Sequence, residues 1–142
     1  IDSVMTAFSK SLSRTLPRTE LIENVLKELA QENDLVGIML MDVNGITFGD
    51  DFKDGLSPAQ RRAIREIRII ALKKIVEKGV GSLCFEDDTY PPTSLYGEIK
   101  YFSADKSGFY LLVLSEEKET IADKMEGIFP RAETLLSDIL GQ

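Results

Sequence analysis

Histidine is absent from the 142 residues, and Cys84 is the only cysteine. Each gap removes a class of chemistry. Histidine is the usual general base near neutral pH and the commonest transition-metal ligand, so Ser-His-Asp and Cys-His machinery is excluded. One thiol cannot supply a zinc site or an internal disulfide, so no metal is expected. With no secretory signal at the start, a reducing, cytoplasmic setting is expected. Numbering begins at Ile1 and not at Met, so an upstream segment is expected as well. The longest apolar runs, residues 69–72 and 109–114, fall far short of the roughly 20 residues of a membrane-spanning helix, which argues against stable membrane insertion. No GxxxxGK[ST] loop is present, so the chain is not itself a P-loop GTPase.

The remaining composition, 43% hydrophobic and 29% charged, is that of an ordinary globular chain whose length suits one core. A net charge of -7 opposes nucleic-acid binding, which needs an electropositive footprint. The charge is uneven. Residues 57–78 carry seven Lys or Arg against two Glu, a local +5, which leaves -12 for the rest. Cys84 in an apolar segment reads as core, and the adjacent Asp87 and Asp88 read as a solvated loop. No catalytic residue and no cofactor is therefore expected.

Along the chain, residues 1–16 form a leader in which Val4, Met5, Phe8 and Leu12 have the spacing of a short amphipathic helix, and a single domain follows over 17–142. Leu21, Ile22, Val25, Leu26, Leu29 and Ala30 share one face of a helix over 18–33. Residues 35–42 and 46–48 flank Asn44-Gly45 and read as a hairpin with a primed turn, because both residues tolerate positive φ. Asp50, Asp51 and Asp54, with Gly49 and Gly55, then read as an acidic turn whose spacing does not match an EF-hand loop.

Ser57-Pro58-Ala59-Gln60 is a helix start, with Ser57 as cap, Pro58 at the first position and Gln60 closing a capping box, and Gly79 is the matching stop. Ala59, Ala63, Ile64, Ile67, Ile70, Ala71 and Ile75 share one arc of this helix, the expected core face. Ile69, Leu72 and Val76 form a second apolar stripe on nearly the opposite side, bordered by Arg61, Arg65 and Arg68. Residues 80–85, 95–103 and 108–115 read as three further strands, with a mobile surface loop over 86–94. A final helix over 116–140 carries Ile121, Met125, Ile128, Ala132, Leu135 and Ile139 on one face. Pro130 should kink it or divide it.

The order α-β-β-α-β-β-β-α, with LVGIMLMDVNGITF at residues 35–48 after an amphipathic helix, resembles the Roadblock family of dynein light chains and bacterial and archaeal GTPase regulators. The resemblance spans about residues 18–140 and rests on apolar and turn patterns. It implies an α+β, three-layer α/β/α (profilin-like) domain with a five-stranded antiparallel sheet. It also implies a homodimer through the middle helix and the following strand, and a role as a platform for a Ras-like small GTPase or a larger assembly. Transferred by position, it makes Ile69, Leu72, Val76, Ser82, Leu83 and Phe85 dimer contacts, and leaves Arg61, Arg65 and Arg68 for another partner. The leader has no counterpart in the family, and the basic residues of the middle helix would face their own copies unless they splay. The alternative is a GAF-like or PAS-like sensory domain that encloses a small ligand. A longin domain, which begins with strands, fits the order less well.

Overall fold

The computed structural model describes residues 17–141, so the helix read from Val4 to Leu12 lies outside the described residues. Helix α1 (Arg18–Glu32) is followed by β1 (Gly37–Asp42), β2 (Thr47–Phe52), α2 (Pro58–Lys78), β3 (Ser82–Asp87), β4 (Leu95–Ala104), β5 (Ser107–Ser115) and, after a single 3₁₀ turn, α3 (Ile121–Leu140). The strands form one antiparallel sheet in the order β2-β1-β5-β4-β3. The expected α+β architecture, with helices on both faces, is what the chain adopts.

Two cores lie on opposite faces of that sheet. On one, Ile22, Leu26 and Leu29 of α1 and Met125, Ile128, Ala132 and Leu136 of α3 pack on Ile38, Leu40, Leu111 and Val113. On the other, α2 alone packs Ala63, Ile64, Ile67, Ala71 and Ile75 on Met39, Met41, Ile99, Leu112 and Leu114. The alternation within β1 explains this: Ile38 and Leu40 point to one face, Met39 and Met41 to the other, so β1 is buried on both sides. α2 has the ends its sequence dictates. Ser57 accepts from the Gln60 amide at 3.1 Å while the Gln60 side chain accepts from the Ser57 amide at 2.8 Å, and Gly79 closes the helix in the left-handed region at φ 63°.

Several local expectations change. The acidic stretch Gly49 to Asp51 belongs to β2, which pairs with β1 across a register shift between Leu40 and Met41. The Asn44-Gly45 turn is not the expected primed pair. Gly45 alone has positive φ, and the Asp42 carboxylate accepts from the Asn44 and Ile46 amides instead. The primed conformation occurs at Asp105-Lys106, between β4 and β5, where both residues have positive φ. α3 runs on across Pro130, and Leu136 is buried where the spacing had placed Leu135. Tyr90, read as part of a surface loop, is fully buried in the α2 core, and its hydroxyl donates to Glu116 at 3.4 Å. Burial, with Glu116 beside it, pushes its pKa up to about 12. Ile70 and Ala59 do not reach the core: Ile70 is 46% exposed, and Ala59 is exposed too.

Candidate protein-binding surface

A single helix cannot cover five strands. Helices pack at about 10 Å across while strands sit about 4.8 Å apart, so α2 spans roughly two of them. It lies nearest β3 and β4, with Leu83 and Phe85 packed beneath it. The β1-β2 side of the same face is left as an open cleft beside the helix. One hollow there, about 710 Å³, is lined by Phe52 and the buried Met39, Leu56 and Ile64 and by Arg61, Arg62, Arg65 and Arg68 along one wall. A second, about 440 Å³, meets the first at Arg68 and lies between the β1-β2 turn and the second half of α2, against Met41, Val43, Ile69, Leu72 and Val76.

Helical spacing divides the exposed surface of α2 into two flanks. Arg61, Arg65, Arg68, Leu72 and Val76 succeed one another on the side facing the cleft. Glu66, Ile70, Lys74 and Glu77 fall on the side toward β3. The sequence stripe stays together, since Ile69, Leu72 and Val76 all line the hollow near the β1-β2 turn. Val76, 56% exposed, and half-buried Leu72 face the cleft, where a Cβ on Gly45 would meet the Leu72 side chain at 2.9 Å. Ile69, 60% exposed, lies near the crest.

Charge follows the same division. Among the described residues, Arg61, Arg62 and Arg65 have no ion-pair or hydrogen-bond partner, and Arg68 donates to Thr47 at 2.9 Å. Asp50 and Asp54 stand at the opposite wall, and Lys53 is held by Glu116 at 2.5 Å. Burial, then the carboxylates of Glu23 and Asp51, raise the Asp50 pKa above its usual 3.8, which Arg68 partly offsets. The β3 flank, by contrast, mixes Glu66 and Glu77 with Lys74.

β3 forms one sheet edge and β2 the other. They are not equivalent. β2 carries a register shift and two adjacent aspartates, features that discourage edge pairing. β3 pairs with β4 over six consecutive residues without a shift, so its outer edge is regular. On it Ser82 is exposed, while Leu83 and Phe85 are half-buried and point inward, with the Phe85 ring seated over Gly97 so closely that a Cβ there would collide with it. Of the six residues read as dimer contacts, Ile69, Leu72 and Val76 line one hollow beside α2, and Ser82, Leu83 and Phe85 lie on β3.

Cys84 is exposed and not core, because β3 is an edge strand whose far face is uncovered at that point. Its thiol donates to Glu98 at 3.1 Å, and burial, with that carboxylate, pushes it up to about 11. It is a thiol, not a thiolate, at neutral pH. Asp87 and Asp88, the other chemical candidates, accept from Thr89 and from Ser94 (2.7 Å) and hold their own loop. Among the described residues no group of three or more acidic or Cys side chains is placed to hold a metal ion, and no helix is long and apolar enough to cross a membrane.

The chain superposes on solved structures over most of its length. "Gliding protein-mglB" from Thermus thermophilus superposes with a TM-score of 0.59 at 14% identity, over 87% of this chain and 91% of that one. This is a Roadblock-like fold. Myxococcus xanthus MglB gives 0.58 at 12% identity, over 86% and 89% of the two chains, and an MglB described as having a tetrameric arrangement gives 0.60 at 14%, over 87% and 90%. No family model and no curated protein sequence matches the chain. At such identities the Roadblock-like likeness concerns the path of the backbone, and the surface residues are this chain's own. The surface residues around α2 that sequence reading did not single out, Ile70, Phe52 and the hairpin residue Val43, carry no local signal, since their exposure or burial depends on where α2 rests.

Proposed function

We propose that the chain is a non-catalytic, cytoplasmic scaffold or regulator that forms a homodimer and binds a Ras-like small GTPase or a larger protein assembly. The observation that carries the proposal is the difference between the two sheet edges. A regular, unshifted edge strand invites a further strand, and β3 lies directly beside an exposed apolar residue, Ile70, on α2. An isologous dimer needs a patch that matches itself under two-fold rotation. The β3 flank satisfies that condition, because Glu66, Lys74 and Glu77 supply both signs. The cleft flank lacks that balance, since Arg61, Arg65 and Arg68 carry one sign only.

In this arrangement β3 pairs with its copy through backbone groups, so Ser82, Leu83 and Phe85 take part by position more than by side chain. Ile70 meets its copy across the axis, and Ile69, Leu72 and Val76 stay with the cleft. The GTPase reading is supported by the Roadblock-like fold. The sensory alternative needs an enclosed ligand pocket, whereas the cavities lining α2 are open clefts at the surface.

Sedimentation equilibrium at micromolar concentration tests the dimer. The chain should sediment as a dimer, and Ile70→Arg, at an exposed site where folding is unaffected, should shift it toward monomer. A wild-type monomer, or a dimer indifferent to Ile70→Arg, contradicts the arrangement.

A further inference from the structure

We infer that the cleft between α2 and the β1-β2 ribbon is a docking groove for an acidic linear segment of a partner protein, with apolar side chains at one end. This rests on the reading of the chain as a protein-binding module, but not on the partner being a GTPase.

The shape comes first. From Arg61 to Val76 the helix rises roughly 22 Å, enough to lie beside about six or seven residues of extended chain. Met39 and Met41 beneath the cleft are buried, so the accessible apolar surface beside the helix is that of half-buried Phe52 at one end and exposed Val43 at the other, both below the helix crest. A convex globular surface touches the crest, while a single strand or narrow segment reaches Phe52 and Val43.

Charge decides the chemistry of the occupant. The chain as a whole is acidic at -7, yet its groove wall presents Arg61, Arg62 and Arg65 without an acidic partner among the described residues. Arginine recognises carboxylates through paired donors, so unpaired guanidinium groups in a row favour Asp and Glu side chains at alternating positions. Asp50 and Asp54 on the facing wall exclude a purely anionic ligand from the whole width and confine acidic groups to the α2 side. Specificity for a peptide over a free anion comes from the second end of the groove. There Val43, Ile69, Leu72 and Val76 offer apolar contacts, and the charged side chains around them, Arg68, Lys73 and Glu77, are of both signs. The order along α2, basic and then apolar, gives the bound segment a direction: acidic residues beside Arg61 and Arg65, apolar ones beside Leu72 and Val76.

A display selection of random twelve-residue peptides on the immobilised full chain tests the assignment. Selected peptides should be enriched in Asp and Glu followed or preceded by Leu, Ile, Val or Phe. A synthetic representative should bind at least tenfold more weakly to the double variant Arg61→Glu/Arg65→Glu, and also more weakly to Val76→Lys. All of these positions are exposed, and circular dichroism checks that each variant is folded. Selected peptides without acidic enrichment, or binding unchanged in both variants, overturn the proposal. So does displacement of the peptide by millimolar pyrophosphate at constant ionic strength, which would make the groove a simple anion site. Loss of the dimer in Arg61→Glu/Arg65→Glu, with no peptide selected, would place a second copy in the groove and equally overturn it. Because the selection needs neither dimer nor GTPase, its failure and the failure of the functional reading are told apart by the sedimentation of Ile70→Arg.

Discussion

The two faces of the sheet are built from the same strands and finished differently. On one face α1 and α3 lie side by side, and Arg131 of α3 pairs with Glu28 at 3.0 Å and with Glu32 on α1, so the two helices are joined over a closed core. On the other face α2 stands alone, displaced toward β3, with an open cleft on one flank and a free strand edge on the other. The first face stabilises the domain. The second leaves both the apolar surface and the unpaired cations that a binding module needs, since monomers rarely expose such a combination without use for it.

The largest expected contrast between the faces is in stability. Leu26 is fully buried on the closed face, and Leu26→Ala should cost about 2–5 kcal/mol in urea unfolding, from lost transfer energy plus the cavity left behind. Val76→Ser on the open face should change stability by no more than about 0.5 kcal/mol, because its side chain is largely in water. A cost at Val76 comparable to that at Leu26 would mean the open face is a second closed core.

A smaller contrast concerns Cys84, which looks toward the closed-face side of β3 beyond the reach of α3. Raising the thiol from its usual 9.0 to about 11 cuts the thiolate at pH 8 by about a hundredfold. Greater intrinsic nucleophilicity of the more basic thiolate returns roughly tenfold of that. Alkylation by iodoacetamide in the native chain should therefore run about tenfold slower than in urea, and Glu98→Gln should narrow the gap. Equal rates would show that the Glu98 hydrogen bond does not hold in solution.

The smallest effect is at Asp50 in the cleft wall. Its folded-state pKa lies above 3.8, so the folded chain holds the Asp50 proton more tightly than the unfolded chain does. By linkage, this group's contribution to stability falls as pH rises through that window, and the cost persists at neutral pH. Asp50→Asn should raise the thermal midpoint slightly at pH 7 and lose that advantage as pH falls below the carboxylate range. A lower midpoint at pH 7 would indicate that attraction to Arg68 outweighs the burial.

Much of this architecture is legible in the chain, for identifiable reasons. The α2 boundaries follow from Ser57, Pro58, Gln60 and Gly79, each of which acts on backbone groups within four residues of itself. The strand order and the two-sided burial of β1 are consistent with its unbroken apolar run. What local pattern does not encode is how far α2 sits from the sheet centre. Ile70 lies at the edge of the apolar arc, and the displacement of the helix toward β3 turns it from core into surface. The same displacement exposes the cleft, while the β1-β2 turn at Gly45 keeps Leu72 half under cover. β2 escapes sequence reading because a bulge interrupts its alternation and its outer residues are aspartates, which suit an edge strand but read as a turn. Tyr90 escapes it because its neighbours are those of a loop, while its ring fills a gap in the α2 core that exists only once the sheet has formed. The candidate site is thus half legible: Arg61, Arg65 and Arg68 stand out by charge and Ile69, Leu72 and Val76 by spacing, whereas the exposure of Ile70 apart from them needs the fold.

Whether the α2 face is the one that meets other proteins can be decided by amide hydrogen exchange of the full chain, followed by mass spectrometry at high-micromolar and at nanomolar concentration. Protection in β3 and along α2 should fall on dilution, while α1, α3 and the strands beneath them exchange at the same rate at both concentrations. Unchanged protection in β3, or a concentration-dependent change confined to α1 and α3, would refute the assignment of α2 and β3 as the binding face.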